Sequence, residues 1–300
     1  MKTISIISPV YNEQECVEDF FNEIQKIKNQ LGNYKLELIF TNNASQDNTS
    51  YLIKNICQNF DWVKLYSFTQ NVGYQNSLFC GLEKAKGDFI MMVDVDLEDP
   101  PSLIFEFLDS INNKGFFVAY GIRNNRQGNK IINFLRSWWY IFFSLITSKK
   151  AIPYMSEFCM ITKEVKDSIL KIKSSHIFLR NEIAFLGYPS KGTNYLRKLR
   201  KKGKAKGASL LYILIFALTG LINSTSFPLR LSSYLGVLLF IIFLFSSLFG
   251  LKFEIFKFFL ISYMLYFCII VSAYLSRSFN DLSNKSKYTI NKKVSYNIDE

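Results

Sequence analysis

Two runs near the C-terminus limit what this chain can fold into. Residues 231–251 (LSSYLGVLLFIIFLFSSLFGL) are 21 in a row without a charge, and 258–275 (FFLISYMLYFCIIVSAYL) are another 18. A membrane-crossing helix needs about 20 mostly apolar residues, with a range of about 17–25. Two soluble helices of this purity, back to back, would have no polar face to turn to water. Both runs are read as transmembrane helices joined by a short loop at 252–257.

Charge orients them. Arg230 and a strongly basic stretch precede the first run, and Arg277, Lys285, Lys287, Lys292 and Lys293 follow the second. By the positive-inside rule both flanks are expected in the cytoplasm and the hairpin loop outside. The chain carries 36 Lys and Arg against 24 Asp and Glu, a net charge of +12, and seven of the basic residues lie in 197–206 (RKLRKKGKAK). A basic run abutting apolar sequence suits an anionic membrane surface or a phosphate ligand. Nothing in the chain matches a nucleic-acid-binding motif, so no nucleic-acid partner is expected. Residues 208–227 are apolar but broken by Gly220, Asn223, Ser224, Thr225 and Ser226, and are read as interfacial helices, with a third span as the rival.

Residues 1 to about 206 read as a separate domain. Short apolar runs at 3–8, 36–41, 63–68, 88–93, 116–120 and 158–162 predict strands. Helical spacing predicts helices over 13–30, 49–59, 74–86 and 102–113. The first run is broken by Ser5, Ser8 and Pro9 and reads as a buried strand, not a signal peptide. Strand–helix alternation predicts an α/β fold with a mainly parallel sheet, whose ligands bind beyond the C-terminal strand ends. The five cysteines show no CxxC pair and there is one histidine, so free thiols and no zinc site are expected.

Polar clusters sit at those strand ends: SPVYNE at 8–13, TNNASQD at 41–47, QNVG at 70–73 and DVDLEDPP at 94–101. Singly, each is an ordinary turn or helix cap. On four successive strands they predict a binding rim. In the last cluster Asp94, Asp96, Glu98 and Asp99 offer the oxygen ligands that suit Mg²⁺ or Mn²⁺. Tyr74 and Gln75, opening a helix, are read as structural.

Taken in order, these segments resemble the motifs of family 2 glycosyltransferases, in particular the polyprenyl-phosphate subgroup. Further agreement lies in GIRNNR at 121–126, SEFCM at 156–160, the spacing of Arg197, Arg200, Gly203 and Lys206, and FPLR at 227–230. The resemblance implies a GT-A (Rossmann-like) domain over 1–206, interfacial helices over 207–230, a two-helix transmembrane hairpin over 231–277 and a cytoplasmic tail over 278–300. It implies a metal-dependent transfer of a hexose, with glucose the best match, from a UDP-sugar to polyprenyl phosphate at the bacterial inner membrane. Catalytic roles would fall to Asp94, Asp96, Arg123, Arg126 and Glu157. Pro9, Tyr11, Glu13, Asn42, Asn43, Asn71 and Gly73 would bind the nucleotide sugar. Arg123, Arg126, Arg197, Arg200 and Lys206 would bind lipid phosphate or diphosphate. Asp96 and Glu98, with Asp94 beside them, would hold Mg²⁺ or Mn²⁺. Relatives of this kind also suggest a homo-oligomer, such as a tetramer.

The chain departs from the pattern in places. Asn42 and Asn43 stand where Asp is usual, Glu98 where Gln is usual, and Glu157 where Asp is usual. An amide offers donors as well as an acceptor, whereas a carboxylate only accepts. Two other readings compete: a membrane transferase acting on another lipid or glycan acceptor, and a catalytically weak, membrane-tethered scaffold.

Overall fold

In the computed structural model the described residues are 1–124, 155–172, 177–200, 225–248, 254–283 and 286–298, with short islands at 138, 145, 146, 152, 174, 202 and 220–222. They fall into two compact units. One comprises Met1–Ser137, Lys149–Gly207 and Ser286–Glu300, the other Trp138–Ser148 and Ala208–Lys285. The first therefore extends past the expected 1–206 boundary to take in the last residues of the chain.

The first unit is built on a seven-stranded sheet: β1 (Thr3–Val10), β2 (Lys35–Asn42), β3 (Val63–Ser67), β4 (Phe89–Met92), β5 (Val118–Arg123), β6 (Cys159–Thr162) and β7 (Ser190–Tyr195). The strand order is β3-β2-β1-β4-β6-β5-β7. β3, β2, β1 and β4 run parallel, β6 is antiparallel to both its neighbours, and β5 and β7 are parallel. The six expected strands all form. β7 does not announce itself, because its sequence SKGTNY is polar and only Tyr195 is buried.

β1 is buried from Ile4 to Val10, which is why it reads as a near-continuous apolar run. Alternate side chains feed two cores. Ile4 and Ile6 join one with Phe20 of α1 (Val17–Gln30), Ile53 of α2 (Thr49–Asn59) and Phe107 of α4 (Ile104–Asn112). Ile7 joins the other with Leu78 of α3 (Tyr74–Lys84), Val165 and Ile169 of α5 (Lys163–Leu170) and Ile183 of α6 (Leu179–Phe185). Each such side chain contributes roughly 1.5–3 kcal/mol by leaving water. α3 lies so close on the sheet that a Cβ at Gly81 would stand 2.2 Å from Ile7 Cγ2. That contact fixes where the N-terminus of α3 meets the strand ends.

The edge of β3 is covered from an unexpected direction. Residues 286–298 return to it, with antiparallel bridges Leu65↔Tyr296 and Phe68↔Ile290. The Asn297 amide donates to the carbonyls of Cys57, Phe60 and Val63, tying α2 to β3. An open edge is a liability that proteins cover. The expected tail over 278–300 thus divides: α8 continues to Leu282, and 286–298 belong to the sheet unit.

The second unit holds two long helices, α7 (Phe227–Leu248) and α8 (Glu254–Leu282), whose bounds exceed the apolar runs at both ends of the pair. Both are long and apolar enough to cross a membrane. Large apolar side chains such as Phe240, Ile241, Phe258 and Ile261 are exposed along them, which water would not tolerate and lipid would. Tyr263 donates to the Ser232 carbonyl at 3.0 Å and packs against Gly236, joining the two helices. Most of the expected interfacial segment, 207–230, lies outside the described residues.

Candidate active site

The loops after β1, β2, β3 and β4 meet at one end of the sheet, beyond the C-terminal strand ends. Three of them contain a non-glycine residue at positive φ: Asn12 (53°), Ala44 (57°) and Leu97 (58°). Such backbone is unfavourable for L-residues and collects at functional loops. Cross-loop bonds hold it. The Asn12 N–H donates to Ser45 Oγ at 3.0 Å, that of Gln46 to Asn12 Oδ1 at 2.8 Å, and that of Glu13 to Thr49 Oγ1 at 2.8 Å.

Asn42 and Asn43 are both buried at the end of β2. Asn42 Nδ2 donates to Ser67 Oγ at 3.3 Å and its Oδ1 accepts from the Ser45 N–H at 3.1 Å. Asn43 Nδ2 donates to Asn71 Oδ1 at 2.8 Å, and its Oδ1 accepts from the Val72 N–H at 2.7 Å. The two amides therefore join three loops. Gly73 follows at φ +85°, a left-handed turn open to glycine, and starts α3. Pro9 is buried within β1, while Tyr11 and Glu13 line its exit.

The carboxylates of the acidic loop after β4 take different partners. Asp94 accepts from the Tyr74 hydroxyl at 2.8 Å. Loss of water around its carboxyl, with Asp96 next in effect, pushes Asp94 up to about 7, against the pull of the Tyr74 hydrogen bond. Asp99 is buried and faces the other way. It accepts from Arg123 at 2.8 Å and from the Tyr195 hydroxyl, and Tyr195 also accepts from Arg123 Nε at 3.0 Å. Burial alone would lower Arg123, but the Asp99 carboxylate outweighs it and holds the guanidinium firmly charged. Arg123 thus braces the acidic loop from β5.

The basic run crosses the same loop. Arg197 pairs with Glu98 and reaches Asp99 at 3.7 Å. Arg200 pairs with Glu13 and stands 3.9 Å from Asp96. Burial and Asp96 push Glu98 up, with Arg197 opposing. Lys202, within the basic run, pairs with Asp19 of α1 at 2.8 Å. Glu157 lies beside β6 and accepts from Gln75 Nε2 at 3.2 Å, while Gln75 Oε1 accepts from the Leu179 N–H. Arg126 and Lys206 lie outside the described residues. Asp99, grouped by sequence with the oxygen ligands, is taken up instead by Arg123 and Tyr195, and Tyr74, Gln75 and Tyr195 are candidate site residues that the sequence did not single out. Tyr74 and Gln75, read as structural, reach Asp94 and Glu157 from the first turn of α3.

An open, mainly parallel sheet whose successive strand ends present an amide rim and a strand-end DxD loop is the frame of a GT-A glycosyltransferase. Comparison with known proteins agrees, and the chain belongs to glycosyl transferase family 2, whose family model matches residues 5–165. It is 28% identical over 239 residues to an uncharacterized glycosyltransferase of Bacillus subtilis (strain 168), covering 78% of this chain and 72% of that protein. It is 27% identical over 236 residues to the bactoprenol glucosyl transferase of Shigella phage SfV, covering 78% and 76%. The fold is shared with glucosyl-3-phosphoglycerate synthase from Mycobacterium tuberculosis, solved with Mn²⁺, UDP and phosphoglyceric acid, at a TM-score of 0.51 and 17% identity over 72% of this chain and 75% of that one. The chain is a glycosyltransferase.

Proposed function

We propose that this enzyme transfers a hexose, glucose before others, from a UDP-sugar to the phosphate of a polyprenyl phosphate, undecaprenyl phosphate in a bacterium, at the cytoplasmic face of the inner membrane. The observation that carries the reading is the seating of Arg197 and Arg200 on the carboxylates of Glu98, Glu13 and Asp96. Cations that would serve two phosphate-bearing substrates and acidic groups that would serve a metal thereby lie at one end of the sheet. The phage relative's name supplies the acceptor class, and the two apolar helices suit a lipid substrate.

The residues present fit a divalent cation. Among the described residues no three Asp, Glu, His or Cys side chains close on one point. Mg²⁺ and Mn²⁺ need fewer, since one or two carboxylates plus substrate phosphates complete their shell. Asp96 and Glu98 would provide these, with Asp94 adjacent. The ion would neutralise charge on the departing diphosphate.

The chain's own residues supply the remainder. Asn42 and Asn43 would grip the base, and Asp94, held by Tyr74, would meet the ribose or sugar. Arg200 and Arg197 would exchange carboxylate partners for phosphate oxygens, with Arg126 and Lys206 assisting. A phosphate monoester oxygen is largely anionic at neutral pH, its second pKa lying near ~6, so the acceptor needs no strong general base. That oxygen forms its bond to the anomeric carbon as the carbon–oxygen bond to UDP breaks, and UDP leaves with the electron pair. Attack opposite the leaving group inverts the anomeric centre.

The hairpin reading has independent support. Lys149–Gly207 and Ser286–Glu300 belong to one compact unit, so an even number of crossings between them is expected. Two spans satisfy this and three do not.

The test is a transfer assay on detergent-purified protein with undecaprenyl phosphate, Mn²⁺ or Mg²⁺, and a panel of labelled nucleotide sugars. Metal-dependent label in the lipid fraction, lost in Asp96→Ala, is expected. No lipid label from any donor would overturn the reading.

A further inference from the structure

The segment after the second long helix does more than cover an edge. Both backbone groups of Ser67 are held by it: the Ser67 N–H donates to Ser295 Oγ at 3.0 Å, and the Ser67 carbonyl accepts from the Asn291 N–H at 2.7 Å. The turn that offers them is closed on itself, since Ser295 Oγ donates to the Asn291 carbonyl at 2.8 Å and the N–H groups of Val294 and Ser295 bond the same carbonyl. Ser67 in turn accepts from Asn42 Nδ2. One residue on, the Phe68 N–H bonds the Asn42 carbonyl, and the Phe68 ring packs on Tyr288 with centroids 5.5 Å apart. The Thr69 N–H donates to the Thr289 carbonyl at 3.1 Å, which fixes the loop carrying Asn71 to Asn43.

We infer that residues 288–296 are a built-in part of the nucleotide site, and that Ser295 is a positioning residue that sets the Asn42 amide through Ser67. The inference rests on the proposed role of Asn42 and Asn43 in holding the base. Its physical basis is that Asn42 and Ser67 are both buried to 2% exposure. An amide in such a site keeps one orientation only while its partners stay in place. The base-reading geometry of β2 is thus set by residues more than two hundred positions later, reached only after the chain has passed through both apolar helices.

The experiment compares wild type, Ser295→Ala, Ser295→Thr and Ser67→Ala by calorimetric binding of UDP and, separately, of inorganic diphosphate, each with Mn²⁺. Ser295→Ala and Ser67→Ala are expected to weaken UDP by about tenfold, the equivalent of one hydrogen bond. Diphosphate binding should stay within twofold of wild type, and Ser295→Thr should restore UDP. A general collapse of the site would weaken both ligands equally and would overturn the inference. So would UDP binding within twofold of wild type in Ser67→Ala, a variant that keeps both backbone bonds to the tail and remains informative if Ser295→Ala does not fold. If wild type binds diphosphate but no nucleoside diphosphate, the functional reading itself fails and the inference falls with it.

Discussion

Arg200 pairs with Glu13, a residue 187 positions earlier, and the same guanidinium stands 3.9 Å from Asp96. Both side chains of the Arg200–Glu13 pair are only 15% exposed, so solvent screens the pair weakly. Arg200 therefore competes with any cation that Asp96 binds. Arg200→Gln is expected to bind Mn²⁺ about threefold more tightly in the absence of nucleotide. Loss of the free-Mn²⁺ electron paramagnetic resonance signal would report it. Lipid-directed transfer by the same variant should fall by about tenfold or more, because the cation proposed to meet a substrate phosphate is gone.

The Arg123–Asp99–Tyr195 cluster is a brace. Asp99→Ala leaves Arg123 without its carboxylate in a mostly buried site, and a loss of about 3 kcal/mol is expected. Tyr195→Phe removes one donor to Asp99 and should cost about 1–2 kcal/mol. Urea denaturation of detergent-solubilised protein, followed by tryptophan fluorescence, would rank the two. Equal stability of Asp99→Ala and wild type would remove the cluster from the account.

Tyr74→Phe deletes the donor to Asp94 without changing ring volume. The enzyme should fold normally, with transfer reduced about tenfold, in the range of one hydrogen bond to a charged group. Steady-state kinetics with the nucleotide sugar varied would show it, and an unchanged rate would return Tyr74 to a structural role.

Gly81 permits the close seat of α3 on β1. In Gly81→Ala the new methyl would overlap the Ile7 side chain, and overpacking of this kind costs about 1–3 kcal/mol. Thermal unfolding should show a lower midpoint, with transfer reduced because α3 carries Tyr74 and Gln75. An unchanged midpoint would mean that the core yields there.

Burial pushes the Cys57 and Cys80 thiols up from 9.0 to about 12. The thiolate is the reactive form, so at pH 8 both should resist Ellman's reagent until denaturant is added. The folded state holds these protons above the pH at which the unfolded chain releases them. Their contribution to stability is therefore complete below about pH 9 and declines as pH rises toward 12. Mass-spectrometric mapping of labelled cysteines checks the first point, and denaturation midpoints between pH 8 and 10.5 check the second.

Much of this protein is legible in its sequence, for local reasons. β1, β2 and β4 are buried on both faces, so they appear as apolar runs, and their C-terminal ends are marked by the polar residues that follow. The two apolar helices announce themselves as uninterrupted apolar stretches long enough to cross a membrane. The candidate site residues Asp94, Asp96, Asn42 and Asn43 stand at those strand ends, which is where an open α/β sheet binds ligands.

Other features were decided only by tertiary structure. β7 is a half-exposed polar strand, recruited by pairing with β5 and not by its own pattern. Tyr74 and Gln75 look like any residues opening a helix until the close seat of Gly81 brings them to Asp94 and Glu157. Asp99 belongs to the same acidic word as Asp94 and Asp96, yet it turns inward to Arg123 and Tyr195 because those side chains, 24 and 96 residues later, satisfy it there. The docking of 286–298 on β3 depends on backbone–backbone bonds and on the Ser295 and Asn297 side chains bonding backbone groups, none of which follows a hydropathy period. Composition and periodicity report what each segment needs from its surroundings, burial or water. Which distant segment meets that need is settled only when the sheet forms and leaves particular edges and carboxylates to be satisfied.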